Sequence, residues 1–266
     1  MVAFGQFLEV LISGLLAGVL YSLVALGFVL IFKASGVFNF AQGSMVLLAG
    51  LALVRSLDFL VAHGFPWWAA VIVGLLFAGV IMAVTAYLVE RFVLGPLVNQ
   101  DGLTLFMSTI GVTFILDGAA QMIFGSDVYP LPLFPSDAWF LFENTFQGGI
   151  LVSKIDVWGG VIAAILVAGL VALVAATVWG TKLGVQFSIT FLALKALPVL
   201  IIGGFTSVPG AIVGGLIAGA GEKLAEAYLG PYIGGGIEYW FAYVLALIVL
   251  LMRPQGLFGE RIIERI

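Results

Sequence analysis

The sequence predicts an all-α protein: a polytopic membrane helix bundle of about eight hydrophobic segments, with broken or re-entrant segments among them. Three observations carry this reading. The 266 residues are 63% hydrophobic and 9% charged, whereas a soluble globular domain is nearer half apolar and a quarter charged. Long runs without a charged residue recur along the chain, and about 20 such residues let a helix cross a bilayer. Finally, two of the apolar stretches are interrupted: SGVFNFAQG at residues 35–43 and GGFTSVPGA at residues 203–211.

The charge-free runs place the segments in order. The first is Val10–Phe32, closed by Lys33. No Lys or Arg precedes Lys33, so the basic start of a cleaved signal peptide is missing and this segment is expected to stay as a span. The second is the interrupted run Ala34–Val54. The third, Trp67–Val89, opens on an aromatic pair suited to an interface and closes at Glu90–Arg91. The fourth runs from Leu103 to Phe124 and the fifth from Val157 to Val178. Three less regular segments follow. Val185–Gly204 contains Lys195 and Pro198, Val208–Gly221 is rich in glycine, and Tyr239–Met252 is the last. The longest polar stretch, Gly125–Asp156, carries Asp127, Asp137, Glu143 and Asp156 against Lys154. No polar stretch is long enough for a soluble domain, so residues 1–266 read as a single transmembrane domain.

Lys and Arg set the orientation. Lys33, Arg91 and Lys182 follow the first, third and fifth segments, which places that side in the cytoplasm. The N-terminus and the 125–156 loop are then external. Arg253, Arg261 and Arg265 put the C-terminus in the cytoplasm as well. Eight full spans starting outside would end outside. Either Val185–Gly204 enters and leaves by one face, or a span is absent between Lys182 and Val185.

Several chemistries find no residues to carry them. The chain has no cysteine, which excludes disulfides, thiol redox chemistry and cysteine metal sites. The single histidine, His63, lies beside GFPWW and reads as an interfacial, structural residue. No G-x-x-x-x-G-K-[ST] and no H-E-x-x-H occurs. The chain is therefore expected to be no enzyme and to hold no metal or cofactor of its own.

Polar residues within apolar segments are the functional candidates. In lipid every backbone N–H and C=O needs a partner, so irregular chain survives only where protein buries it or where it lines a wet cavity. Interrupted segments in both halves of a chain point to a translocation site. Asn39 and Gln42 read either as pathway residues or as caps on a helix break beside it. Thr109, Thr113, Asp117 and Gln121 recur every four residues and share one helix face. Asp117 is the only acid well inside a span, and such an acid is a functional candidate by default. It also lies about two turns from the outer end at Phe124, within reach of the interface, and both readings stay open. Thr206 and Ser207 complete the candidate pathway set. The spacing of Gly14, Gly18 and Ser22, of Gly210 and Gly214, and of Gly215 and Gly219 reads as helix packing. Glu222 and Glu226, one turn apart, read as a solvated interfacial pair, and Lys195 as a snorkelling side chain.

At these motifs the chain resembles the permeases of branched-chain amino acid ABC importers, of the LivH type. The resemblance begins with GLLAGVLYSLVALGFVLIFKASGVFNFAQG (14–43), whose NFAQG is similar to the family's NFA-x-G signature. It continues through ERFVLGPL (90–97), STIGVTFIL (108–116) and KALPVLIIGGFTSVPGAIVGGLIAGAGE (195–222), and closes with RPQGLFG (253–259). It implies a permease subunit that pairs with a second, homologous permease. It also implies two cytoplasmic ATPase subunits holding ATP and Mg, an extracytoplasmic substrate-binding protein, and residence in a bacterial cytoplasmic membrane among its lipids. Nucleic acid has no part in it. The implied function is passage of branched-chain or other hydrophobic amino acids, or a related amide or urea, by ATP-driven alternating access. An ion-coupled secondary transporter, with Asp117 as ion carrier, and a passive solute channel are the alternatives.

Two departures stand out. Thr206 occupies a position where the family usually has glycine. Further, WGTKLG (179–184) runs straight into VQFSITF (185–191), where the family carries a cytoplasmic loop that docks the ATPase and a following hydrophobic segment. A loop and span missing between Gly184 and Val185 would also account for the odd span count.

Overall fold

The computed structural model describes residues 2–36, 38–97, 100–131, 133, 137–141, 150–154, 157–159 and 192–259. The junction at Gly184–Val185 and almost all of the expected fifth span lie outside them. The all-α expectation holds, with one addition: a small antiparallel hairpin of β1 (Ala138–Leu141) and β2 (Ile150–Ser153) in the long polar stretch. Its register pairs Trp139 with Val152 and Phe140 with Leu151.

Seven α-helices are described: α1 (Val2–Ser35), α2 (Gln42–Ala62), α3 (Trp67–Val89), α4 (Gly102–Phe124), α5 (Leu192–Gly203), α6 (Val208–Ile233) and α7 (Phe241–Met252). Among the described residues, α1 to α4 are each long and apolar enough to cross a membrane, and α5 with α6 forms a pair bent by 116°. The chain is thus a polytopic helix bundle. The first interruption falls elsewhere than the sequence suggested. Residues 36–41 do not break a second span; they join α1 to α2, and α2 then runs unbroken for 21 residues. Gly36 turns the chain with φ 69°, a conformation that suits a residue without Cβ.

The helices fall into two compact units. The first contains α1 up to Lys33, the β-hairpin and the helices from Leu194 onward. There α1 and α6 meet through glycine. A Cβ on Gly18 would stand 2.5 Å from the Gly215 oxygen, and one on Gly219 would stand 2.4 Å from the Gly18 nitrogen. Ser22 Oγ donates to Gly18 O at 2.8 Å and to Ile212 O at 3.0 Å. This is the close backbone approach that small residues permit in lipid.

Two local features shape the end of this unit. Pro198 inside α5 cannot donate to the carbonyl four residues earlier. That carbonyl, on Leu194, accepts the Tyr243 hydroxyl at 2.8 Å. After α7 the chain returns to the end of α5, where Leu257 N–H donates to Ile202 O (2.8 Å) and Phe258 N–H to Gly203 O (3.0 Å). Last-turn carbonyls that a helix leaves unmet are satisfied in this way by the tail. Gly204 (φ 103°) and Gly256 (φ 76°) make the approach possible: a Cβ on Gly256 would meet Gly204 N at 2.7 Å.

The second unit comprises, among the described residues, those between Ala34 and Leu133 together with Leu192 and Ala193, and holds α2, α3 and α4. Ala41, Met45, Val89 and Val112 form a buried cluster, with Met82, Val93, Leu94 and Leu116 against it. Gly74 lets α3 approach α2, since a Cβ there would stand 2.9 Å from Ser56 Oγ. Ahead of α4 the Asp101 carboxylate accepts the Thr104 hydroxyl, which holds its carboxyl below the usual carboxylate range.

Candidate functional site

Four of the residues singled out in the sequence come together in the second unit. The stretch ahead of α2 packs along α4. Phe40 N–H donates to Thr109 Oγ1 at 3.1 Å, and Ser44 Oγ donates to the Thr113 carbonyl at 3.4 Å. Thr109 and Thr113 tie their own hydroxyls back into α4, to Phe106 O at 2.8 Å and Thr109 O at 3.0 Å. Asn39, Gln42, Ser44, Thr109 and Thr113 are all buried. Thr113 is the central residue of Gly102–Phe124, about 17 Å from the start of α4 at 1.5 Å per residue. Measured along α4, the part of the interruption bonded to Thr109 lies within the span, with Asn39 and Ala41 buried against protein as irregular chain in lipid must be.

Asn39 shapes the break. Its Oδ1 accepts the Ala41 N–H at 3.1 Å, the local side-chain bond by which Asn mimics a backbone turn. Gln42 opens α2 and is 3% exposed. The polar face of α4 then grades outward: Asp117 is half-buried and Gln121 exposed.

Thr109→Val keeps the shape but removes the acceptor for Phe40 N–H, leaving that part-buried group without it. The loss is expected to be about 1–3 kcal/mol, read as a lower unfolding midpoint of the purified protein. An unchanged midpoint would mean that the bond contributes nothing.

Thr206 and Ser207 belong to the first unit, at the corner between α5 and α6. Ser207 is the N-cap of α6 and its Oγ accepts the Gly210 N–H at 3.0 Å. The left-handed position of this corner is Gly204, not the position of Thr206.

The same unit holds a polar group that residue-by-residue reading missed. Glu222 is not a solvated interfacial acid; it is 2% exposed. Its Oε2 accepts Tyr21 Oη at 3.0 Å and Lys195 Nζ at 3.1 Å. Lys195 also donates to Tyr21 Oη (3.1 Å) and to the Glu238 carbonyl (3.2 Å), so it is held in an ion pair instead of snorkelling. Glu226 accepts the backbone N–H groups of Gly236 (3.0 Å) and Glu238 (3.2 Å), and Lys223 pairs with Glu238 at 2.6 Å. The available signal was one Lys and one Glu of opposite charge in neighbouring apolar segments, since intramembrane charges usually pair.

A membrane helix bundle with polar residues buried beside an interrupted stretch is an arrangement that transport proteins use. The family described as branched-chain amino acid transport system / permease component matches residues 10–185. The chain belongs to that family, and it is a transport permease subunit, not an enzyme. Among its relatives is the high-affinity branched-chain amino acid transport system permease protein BraD of Pseudomonas aeruginosa, 25% identical over 98% of both chains. The proteins named LivH in Escherichia coli K12 and Salmonella typhimurium are 26% and 25% identical, each over 99% of both chains. No solved structure matches. The alignment to BraD spans 308 positions while this chain has 266 residues, so at least 42 aligned positions have no residue of this chain.

Proposed function

We propose that the chain is one of two homologous membrane subunits of an ATP-driven importer for branched-chain or other hydrophobic amino acids. Its relatives carry branched-chain amino acids in their names. The observation that carries the reading is that Asn39 and Gln42, at the interruption between α1 and α2, are buried together with Thr109 and Thr113 of α4. Two cytoplasmic ATPase subunits would hold ATP and Mg, and an extracytoplasmic binding protein would deliver the substrate. ATP binding would move the cytoplasmic helix ends, opening the pathway to each side in turn. The positive-inside pattern supports a cytoplasmic C-terminus and an external N-terminus in a bacterial cytoplasmic membrane. Since the tail after Arg253 is bonded to the end of α5, the α5–α6 corner would share the cytoplasmic end. Affinity purification tests the reading. The chain should bring ATPase subunits with it, and reconstituted uptake of L-leucine should stop without ATP. Uptake without ATP that follows a sodium or proton gradient would favour an ion-coupled transporter.

The aligned positions absent from this chain are proposed to fall at Gly184–Val185. The family match ends at residue 185, and the lysine-based span count fails at the same place. Thr181 to Gly184 offer about one helical turn of chain, too little for a docking helix with its entry and exit. Grafting the loop and segment of a LivH relative between Gly184 and Val185 is expected to increase ATP hydrolysis stimulated by loaded binding protein. Equal stimulation with and without the graft would reject this placement.

A further inference from the structure

A cavity of about 360 Å³ opens where three spans end, between the close of α2, the start of α3 and the chain that follows α4. Small-molecule sites run from about 300 to 1,000 Å³. The buried part of its wall is apolar: Val54, Leu57 and Leu131 are each 7% exposed or less. Val61 and Trp67 stand further out, 47% and 50% exposed. Trp67 and the exposed Trp68 mark this end as a membrane–water interface, where amphipathic rings settle. The charged residue of the lining is Asp58. Its exposed carboxylate has no ion pair or hydrogen bond among the described residues. Arg55 precedes it by three residues on α2, and residues at that spacing are neighbours on one helix face. The Arg55 guanidinium sits 4.6 Å over the Tyr129 ring, next in sequence to Pro130 of the lining. A carboxylate and an indole face both attract a cation, and a guanidinium suits a phosphate. Toward the interface α2 therefore presents apolar Val54, then Arg55, then Asp58 about 4.5 Å further out at 1.5 Å per residue. A phospholipid with an ammonium headgroup carries its groups in the same order: acyl chain, phosphate, ammonium.

We propose that this cavity is a site for one phospholipid whose headgroup ends in a free ammonium, of the phosphatidylethanolamine type. An acyl chain lies along Val54, Leu57 and Leu131. Arg55 takes the phosphate, and the ammonium sits between Asp58 and the Trp67 ring. A lipid ending in an uncharged glycerol would bring the Asp58 carboxylate no cation, only the negative charge of its phosphate. Headgroup choice thus falls to Asp58 and anchorage to Arg55. The site requires only that the chain spans a membrane and is independent of what the protein transports.

Photolabelling tests it, on the full chain with the subunits it purifies with, in nanodiscs of phosphatidylethanolamine and phosphatidylglycerol in equal amounts. A trace of one lipid or the other carries a photoactivatable acyl chain, and labelled peptides are read by mass spectrometry. Label on exposed mid-span residues of α3, such as Phe77 (51% exposed), sets the reference for lipid met by chance. Relative to it, residues 54–67 should take phosphatidylethanolamine over phosphatidylglycerol by about 3-fold or more, the scale of an ion pair at an exposed site. Asp58→Asn should abolish the preference and Asp58→Lys should invert it. Arg55→Gln should lower labelling by both lipids and leave their ratio unchanged. Both positions are exposed, so these variants should fold, and unchanged label on α3 checks that they do. The proposal is overturned if wild type shows no preference, if label on residues 54–67 does not exceed the reference, if either Asp58 variant keeps the wild-type ratio, or if Arg55→Gln labels as wild type does. Label that appears on residues 54–67 only after the co-purified subunits are stripped away would give this surface to a protein and overturn it as well.

Discussion

Lys195→Met is expected to destabilise the protein by about 3–5 kcal/mol, the usual consequence of removing one partner from a buried ion pair. The change leaves the Glu222 carboxylate, 3% exposed at the side chain, with Tyr21 as its described donor. It also removes a donor to the Glu238 carbonyl. Equilibrium unfolding in mixed micelles measures the loss. Lys195→Met with Glu222→Met should recover most of it, because replacing both ions of a buried pair with apolar groups is often neutral or better. A loss below about 1 kcal/mol in the single variant, the size of an ordinary hydrogen bond, would show that Tyr21 satisfies the carboxylate by itself.

Gly219→Val should be comparably damaging for a different reason. Its new Cβ would lie 2.4 Å from Gly18 N and 2.5 Å from Gly14 O. These are backbone atoms of α1 and cannot rotate away, so the helices must separate. Overpacking usually costs about 1–3 kcal/mol, and a backbone collision belongs at the upper end of that range. Separation would also pull on the Tyr21–Glu222 bond, since Glu222 follows Gly219 by one turn of α6. A double variant with Tyr21→Phe is therefore expected to lose less than the sum of the single losses. Strict additivity in the same unfolding assay would disprove that mechanical link.

What the sequence disclosed depended on how far each signal reached along the chain. Membrane class and the positions of α1, α3 and α4 follow from long apolar runs, a local property. The Thr109–Thr113 face followed from a four-residue spacing, and its burial against residues 38–44 agrees with both segments being polar in lipid. The placement of the break failed because glycine and asparagine mark a change of direction without saying whether a span continues beyond it; α2 supplied its full length after Gln42. Lys195, Glu222 and Tyr21 were beyond single-residue reasoning. Tyr21 and Glu222 are 201 positions apart, and only the packing of α1 on α6 brings them together. The glycines that permit this packing were visible as spacing, but spacing does not name the partner helix.

The bonds from Leu257 and Phe258 to the end of α5 also bear on how the protein is made. Chains emerge from the ribosome N-terminus first, at about 5–20 residues per second. Both halves of the α5–α6 pair are therefore synthesised before the residues that close the last turn of α5 exist. Until residue 258 is free, the carbonyls of Ile202 and Gly203 lack those donors. The fastening of this unit therefore waits for chain synthesised after α5, α6 and α7.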